Sequence, residues 1–213
     1  MKVGVLALQG DVPEHLAALA AVHGGDDVLP VRTPAELAQV GALFMPGGES
    51  TTIARLLVQA GLWNPLDQRI RNGLPVLATC AGLILLAREL VPGMAGMDPP
   101  TFNLLDVQVR RNDYGSQRES FEAPIHVEGL VGGPFPGIFI RSPRIHSVGP
   151  EATAFAWRGG EVVGVRAGAI WGLAFHPELS GDPRLHRMFL DAAHRTAEAP
   201  IARAPRPRAK RRQ

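Results

Sequence analysis

Short apolar runs, each followed by a segment of helical periodicity, recur through the first 90 residues, and this alternation constrains the fold more than any other feature. The runs are Val3 to Leu8, Val28 to Val31, Ala42 to Met45 and Val76 to Thr79. After the first, Asp11 and Glu14 have capping-box spacing ahead of Leu16, Leu19, Ala20 and Val22. After the second, Thr33-Pro34-Ala35-Glu36 offers a capping Thr, a Pro at the first helical position and a Glu at the third. The third leads through Pro46-Gly47-Gly48-Glu49-Ser50 into an apolar stripe of Ile53, Leu56, Leu57 and Ala60. The fourth leads into a helix expected from Ala81 to about Leu90. Strands alternating with helices predict right-handed βαβ units: an α/β fold with a doubly wound, mostly parallel sheet flanked by helices.

From Leu105 the texture changes to strand-like runs separated by turns: Leu105 to Val109, Ala123 to Val127, Gly137 to Ile140, Thr153 to Trp157, Glu161 to Arg166 and Ala169 to Phe175. Arg158-Gly159-Gly160 predicts a hairpin between two of them. These runs add antiparallel strands in the C-terminal half, and a closing helix is expected from Pro183 to about Arg195.

The chain has 213 residues, 46% of them hydrophobic and 20% charged, which is enough for one domain with a sizeable core. That domain is expected to span residues 1–199, followed by a basic, Pro- and Arg-rich tail, 200–213, read as disordered. Residues 203–213 hold six basic groups, which leaves 16 basic against 20 acidic groups in the remainder. The net charge of +2 therefore masks a mildly acidic body, and no nucleic-acid partner is expected. The longest apolar run, Leu77 to Ala87, falls far short of the ~20 residues of a membrane helix, so no membrane association is expected. Met1 runs straight into a strand-like stretch rather than a basic apolar leader, which points to a cytoplasmic protein.

In open α/β sheets, sites form where strand carboxyl ends lead into helices, which directs attention to Gln9-Gly10-Asp11, Pro46 to Thr52, Thr79 to Gly82 and the stretch after Phe175. Cys80 is the chain's single cysteine. It cannot form an internal disulfide, and composition alone would make it a small buried hydrophobe. Its setting says otherwise. Ala78-Thr79-Cys80-Ala81-Gly82 places it on a strand-to-helix turn with small neighbours, at the positive end of a helix, which favours the reactive thiolate. A thiolate attacking an amide needs a proton donor for the departing amine. His176, after an apolar strand, fits that need, and Glu178, two residues on, can fix its tautomer. Gly47 and Gly48 let backbone approach a substrate closely, and amides at Gly48 and Ala81 can form an oxyanion hole. The sequence contains no clustered Cys/His set of the kind that holds a metal, so neither metal nor organic cofactor is expected.

These elements, in this order, resemble the class I glutamine amidotransferase family. The likeness extends through Leu6-Ala7-Leu8-Gln9-Gly10, Pro46 to Thr52, Thr79-Cys80-Ala81-Gly82-Leu83-Ile84, Arg111-Asn112, Ser120-Phe121-Glu122, Phe139-Ile140-Arg141 and Phe175-His176-Pro177-Glu178-Leu179. It covers about Lys2 to Ala193. The resemblance implies a Cys80, His176, Glu178 triad that hydrolyses L-glutamine to glutamate and ammonia. It also implies glutamine-binding roles for Gly47, Gly48, Glu49, Ser50, Arg111, Ile140 and Arg141. It is nearest to the branch whose ammonia passes to a synthase subunit that makes pyridoxal 5′-phosphate from pentose and triose phosphates, and it implies low activity until that partner docks. On that expectation the Gly47-Gly48 peptide reorients on docking, with Gln9 to Glu14 and the helix after them as partner contacts. Two departures stand out: Ala78 replaces a glycine frequent before the Thr-Cys pair, and Ser116 stands where relatives commonly have arginine. Other glutaminases of the family, a cysteine hydrolase with a different substrate, and a noncatalytic interaction protein are the alternatives.

Overall fold

The computed structural model describes residues 1–92, 98–111, 113 and 120–198, with side chains described to 196. The tail 200–213, Asn112 and the segment holding Ser116 lie outside the described residues. Strands β1 (Val3–Leu6), β2 (Val28–Val31), β3 (Ala42–Met45) and β4 (Val76–Thr79) alternate with helices α1 (Val12–His23), α2 (Pro34–Leu37), α3 (Ser50–Gln59), α4 (Trp63–Arg71) and α5 (Ala81–Leu86). There follow β5 (Ala87–Leu90), β6 (Leu105–Arg110), β7 (Phe121–Val127), β8 (Phe135–Phe139), β9 (Arg144–Val148), β10 (Thr153–Arg158), β11 (Glu161–Ala167), β12 (Ile170–Leu173) and the closing helix α6 (Arg184–Glu198).

A nine-stranded sheet runs in the order β2-β1-β3-β4-β12-β11-β10-β7-β8. From β2 to β12 the strands are parallel; from β12 to β8 every pairing is antiparallel. The parallel part has the order of flavodoxin-like doubly wound sheets, in which ligands sit beyond the strand carboxyl ends. β1, β3 and β4 are buried at every position, so they read as continuous apolar runs rather than alternating ones. α1 packs against α6 as one covering layer; α3 packs on α4 and α5, and α2 on α4, as another. A smaller sheet, β5-β6-β9, sits beside the main one.

Local signals explain several boundaries. At α2, Thr33 accepts from the Glu36 amide at 3.2 Å while the Glu36 carboxylate accepts from the Thr33 amide at 2.9 Å, the reciprocal cap that the sequence predicts. The Gly159-Gly160 turn joins β10 to β11, and Gly159 takes a left-handed φ of 58°.

Three expectations need correction. The helix after Cys80 ends at Leu86 rather than near Leu90, because Ala87–Leu90 leaves it to pair in parallel with β6. β1 stops at Leu6, although the Ala7 amide still bonds the Val31 carbonyl at 2.8 Å. The Asp11 side chain makes no capping bond to α1; its carboxylate is engaged elsewhere.

One core contact carries a stability prediction. His186 of α6 is buried and stacks on Phe44 of β3, with centroids 5.5 Å apart at 10°. Neither of its ring nitrogens bonds a described protein group. Burial first, and His15 second, lower its pKa from 6.5 to about 4. The unfolded chain therefore binds more protons between these values, so this contribution to stability is intact above pH 6.5 and lost as pH falls toward 4. His186→Phe keeps the stacked ring and removes the titration. Chemical unfolding at pH 7.5 and 5.5 should show the variant losing about 1 kcal/mol less than wild type over that interval. Equal losses would show that His186 is not the acid-sensitive group.

Candidate active site

Four adjacent parallel strands, β1, β3, β4 and β12, bring their carboxyl ends to one edge of the sheet, and the loops after them build a single cavity. It has a volume of about 140 Å³, and its walls include Asp11, Gly48, Glu49, Cys80, Arg141 and His176, together with Ser50, Ile84, Arg111 and Ile140.

Cys80 follows β4 directly and adopts φ 47°, ψ −101°, a conformation that a non-glycine residue takes only when its surroundings hold it there. Its amide bonds the Leu173 carbonyl of β12 at 2.8 Å, and its own carbonyl accepts from Ile84 at 3.2 Å as α5 begins. The turn is closed by small residues. A Cβ on Gly82 would lie 2.5 Å from the Met45 carbonyl oxygen and 3.1 Å from the Ala78 methyl. Ala78 thus fits its buried position, and Gly82 is the position at which no side chain does. Ala81, next to Cys80, is fully buried.

His176 lies three residues after the end of β12, with its amide bonded to the Ile138 carbonyl at 2.8 Å. It precedes a single 3₁₀ turn, Pro177–Leu179, which places Glu178 beneath its ring. Nδ1 lies 2.8 Å from Glu178 Oε1 and 3.1 Å from Asp11 Oδ2, so two carboxylates share one imidazole nitrogen. Nε2 makes no hydrogen bond of normal geometry with a described group, and Cys80 is the thiol that shares its cavity and interacts with the ring. Burial is the largest single influence on this imidazole and opposes protonation. Asp11, Cys80 and Glu178 together outweigh it and raise the pKa well above 6.5. Burial also pushes the Glu178 carboxyl up, but His15 and His176 overcome it and hold the group ionised. The Asp11 carboxyl is lowered chiefly by its bond to His176. The ligand atoms of Asp11, His176 and Glu178 lie within 4.8 Å of one another, spacing that could hold an ion. The hydrogen bonds at His176 Nδ1 account for that spacing.

The Gly47-Gly48 segment is gripped by the loop after β1. The Asp11 amide donates to the Gly47 carbonyl at 3.2 Å, and the Glu49 amide donates to Gln9 Oε1 at 2.8 Å. Gly10 lies so close to Gly47 that no Cβ fits between them, and a Cβ on Gly47 would strike His176. At the cavity mouth, Arg141 pairs with Glu49 at 2.6 Å and has a left-handed φ of 44°. Arg111 reaches Asp98 and Thr51, each at 3.4 Å. The Ile140 amide is taken by Ser142 Oγ at 3.1 Å.

The structure therefore brings together around one cavity the residues singled out from sequence, with Gly47 against His176, Glu178 behind it and Ala81 beside Cys80. Sequence reasoning placed Asp11 in a site-forming loop but assigned its side chain to a helix cap, and it missed Ile84, which it placed in the helix without a site contact. It also missed His15, whose ring lies behind Glu178.

Fold and site together define a protein of the glutamine amidotransferase class. The chain superposes with a TM-score of 0.82 on the crystal structure of a glutamine amidotransferase, 43% identical, over 91% of this chain and all of that one. A putative GMP synthase subunit from Thermoplasma acidophilum shares the fold at a TM-score of 0.64 and 16% identity, over 93% of this chain and 96% of that one. More narrowly, the chain belongs to the SNO glutamine amidotransferase family, whose model matches residues 5–195. It is 50% identical to the pyridoxal 5′-phosphate synthase subunit PdxT of Streptomyces coelicolor over 199 residues, 92% of this chain and 96% of that protein. It is 47% identical to the subunit of the same name from Thermococcus kodakarensis over 198 residues, 91% and 99% of the two chains.

Proposed function

We propose that this protein hydrolyses L-glutamine to L-glutamate and ammonia at Cys80 and supplies the ammonia to a pyridoxal 5′-phosphate synthase subunit. The observation that carries the chemistry is a cysteine on a strained elbow sharing one cavity with an imidazole whose far nitrogen is held by carboxylates. The relatives that match nearly the full chain, each a pyridoxal 5′-phosphate synthase subunit, support the destination of the ammonia.

In this reading the Cys80 thiolate attacks the side-chain amide carbon of glutamine, and the developing oxyanion takes hydrogen bonds from the Gly48 and Ala81 amides. The raised pKa of His176 suits an imidazolium beside a thiolate, and that imidazolium protonates the departing ammonia. Water, deprotonated by the now neutral His176, then cleaves the γ-glutamyl thioester to release glutamate and restore the thiolate–imidazolium pair. Glu178 keeps Nδ1 protonated and Nε2 directed at the chemistry. Gly47, Gly48, Glu49 and Ser50 line the glutamine side chain, Arg111 and Arg141 meet its α-carboxylate, and Glu49 with the Ile140 carbonyl meets its α-ammonium. Every step uses protein groups and water.

Ammonia released into water is protonated and lost, so a receiving partner is a chemical requirement of a synthase coupled to this site. The Gly47 carbonyl is bonded to the Asp11 amide, and a trans peptide points the Gly48 N–H the opposite way. Any reorientation of that peptide must break this bond, and the Gln9 to Glu14 segment is where a docked partner would act on it. Residues 1–199 form the glutaminase unit in this reading, apart from the tail 200–213. A reactive free thiolate suits the reducing cytoplasm. Among the described residues no helix is long and apolar enough to cross a membrane.

Ammonia release measured with and without the synthase subunit tests the partner dependence. The rate should rise by about 10-fold or more on docking. Equal rates would remove partner activation while leaving the glutaminase reading intact.

A further inference from the structure

The mechanism above leaves one buried group at the site without a role. His15, in the first turn of α1, is fully buried, and its Nε2 lies 3.3 Å from Thr79 Oγ1 and 3.4 Å from Glu178 Oε2. Thr79 immediately precedes Cys80, and the other oxygen of Glu178 is the one on His176. Glu178 Oε2 is itself buried and makes no hydrogen bond of normal geometry with a described group. His15 Nε2 faces it at 3.4 Å, where an Nε2–H would meet its charge without a well-formed hydrogen bond.

A buried carboxylate with one supported oxygen is costly and free to turn. With Oε1 on His176 and Oε2 facing His15, rotation would break both contacts at once. The charged groups around His15 are Glu178, His176, Asp11 and Glu14, and its ring also meets Phe44 and His186. Burial outweighs the nearby carboxylates and lowers its pKa, which favours an uncharged donor over an imidazolium. This matters because an imidazolium there would draw charge from Glu178 and weaken its support of His176.

Resting on the glutaminase reading, we propose that His15 is a positioning residue for this reaction: its Nε2–H, shared between Thr79 Oγ1 and Glu178 Oε2, locks the Glu178 carboxylate so that Oε1 stays on His176. Through Thr79 it also ties that carboxylate to the strand end that carries Cys80.

The test uses the full chain with its synthase partner and compares wild type, His15→Leu, which fills the space without a donor, and His15→Gln, which restores an N–H at similar reach. For ammonia release from glutamine, His15→Leu should lower kcat by about 10- to 100-fold with KM changed little. His15→Gln should recover most of that loss. A second readout needs neither partner nor glutamine: the pH dependence of Cys80 alkylation by the uncharged reagent iodoacetamide. A less well supported imidazolium should move the thiolate midpoint upward in His15→Leu and back toward wild type in His15→Gln. A kcat for His15→Leu within twofold of wild type would overturn the proposal. So would equal losses in both variants with an unmoved alkylation midpoint, which is the pattern of a purely structural core residue. If wild type releases no ammonia from glutamine, the glutaminase reading fails, and the alkylation profile still decides the role of His15.

Discussion

Cys80→Ala is expected to lower ammonia release from glutamine by ~10⁴-fold or more, because removing the nucleophile removes the covalent route rather than weakening one contact. The fold should survive. Cys80 is buried at the edge of the core, alanine is smaller, and the Cys80 amide bond to Leu173 belongs to the backbone. Relief of an unfavourable φ of 47° is not gained, since alanine is no better suited to it than cysteine. A matched thermal melt with activity lost is the expected pair of results. Substantial hydrolysis by the variant would mean that another group attacks the amide.

Gly10→Ala is expected to damage both stability and activity. Gly10 has φ 104°, and a Cβ there would overlap the Gly47 carbonyl, a backbone atom that cannot swing aside as a side chain can. Strain and clash together should cost about 3 kcal/mol or more, measured by denaturant unfolding. The displaced carbonyl is the one that Asp11 holds, and its peptide leads to Gly48 in the cavity wall, so glutamine hydrolysis should fall with it. Gly159→Ala is the control: φ is also left-handed, at 58°, but no heavy atom lies within 4 Å of the added methyl. It should cost about 1 kcal/mol and leave activity unchanged. Equal effects at the two positions would show that the close approach of the two loops is not what Gly10 provides.

The contrast between these glycines bears on how much of the molecule was legible in its sequence. β2, β3 and β4 were readable to the residue because each is an apolar four-residue run bounded by a turn or a cap, half-buried in β2 and fully buried in β3 and β4. β9 (Arg144–Val148) escaped because its polar and exposed positions, such as His146 and Ser147, give no apolar run. α4 escaped because Pro65 sits in its first turn and only Leu66 and Ile70 are buried along it. The overlong helix after Cys80 is a case of tertiary pairing overriding local pattern: Ala87–Leu90 carries a helix-like sequence, but β6 offers it a ladder.

The site divides the same way. Cys80, His176 and the Gly47-Gly48 loop each announce themselves locally, as a strand end followed by a turn of small or polar residues. Asp11 and His15 do not. Asp11 carries a capping signature, yet its carboxylate bonds His176, 165 positions away in the chain. His15 looks like one more residue of an amphipathic helix until the fold sets it against Thr79 and Glu178. Contacts at such separations have no periodicity to betray them, and only the packing of α1 over the strand ends creates them.

The claim on which the rest depends is that Cys80 is acylated by glutamine in the cavity shared with His176. The most direct measurement is peptide mass spectrometry of the full chain, with its synthase partner, after exposure to a glutamine analogue carrying a diazoketone in place of the side-chain amide. The account predicts one adduct per chain, confined to the peptide containing Cys80, formed with loss of glutaminase activity and prevented by excess glutamine. Loss of activity with Cys80 unmodified, or an adduct on any other residue, would contradict it.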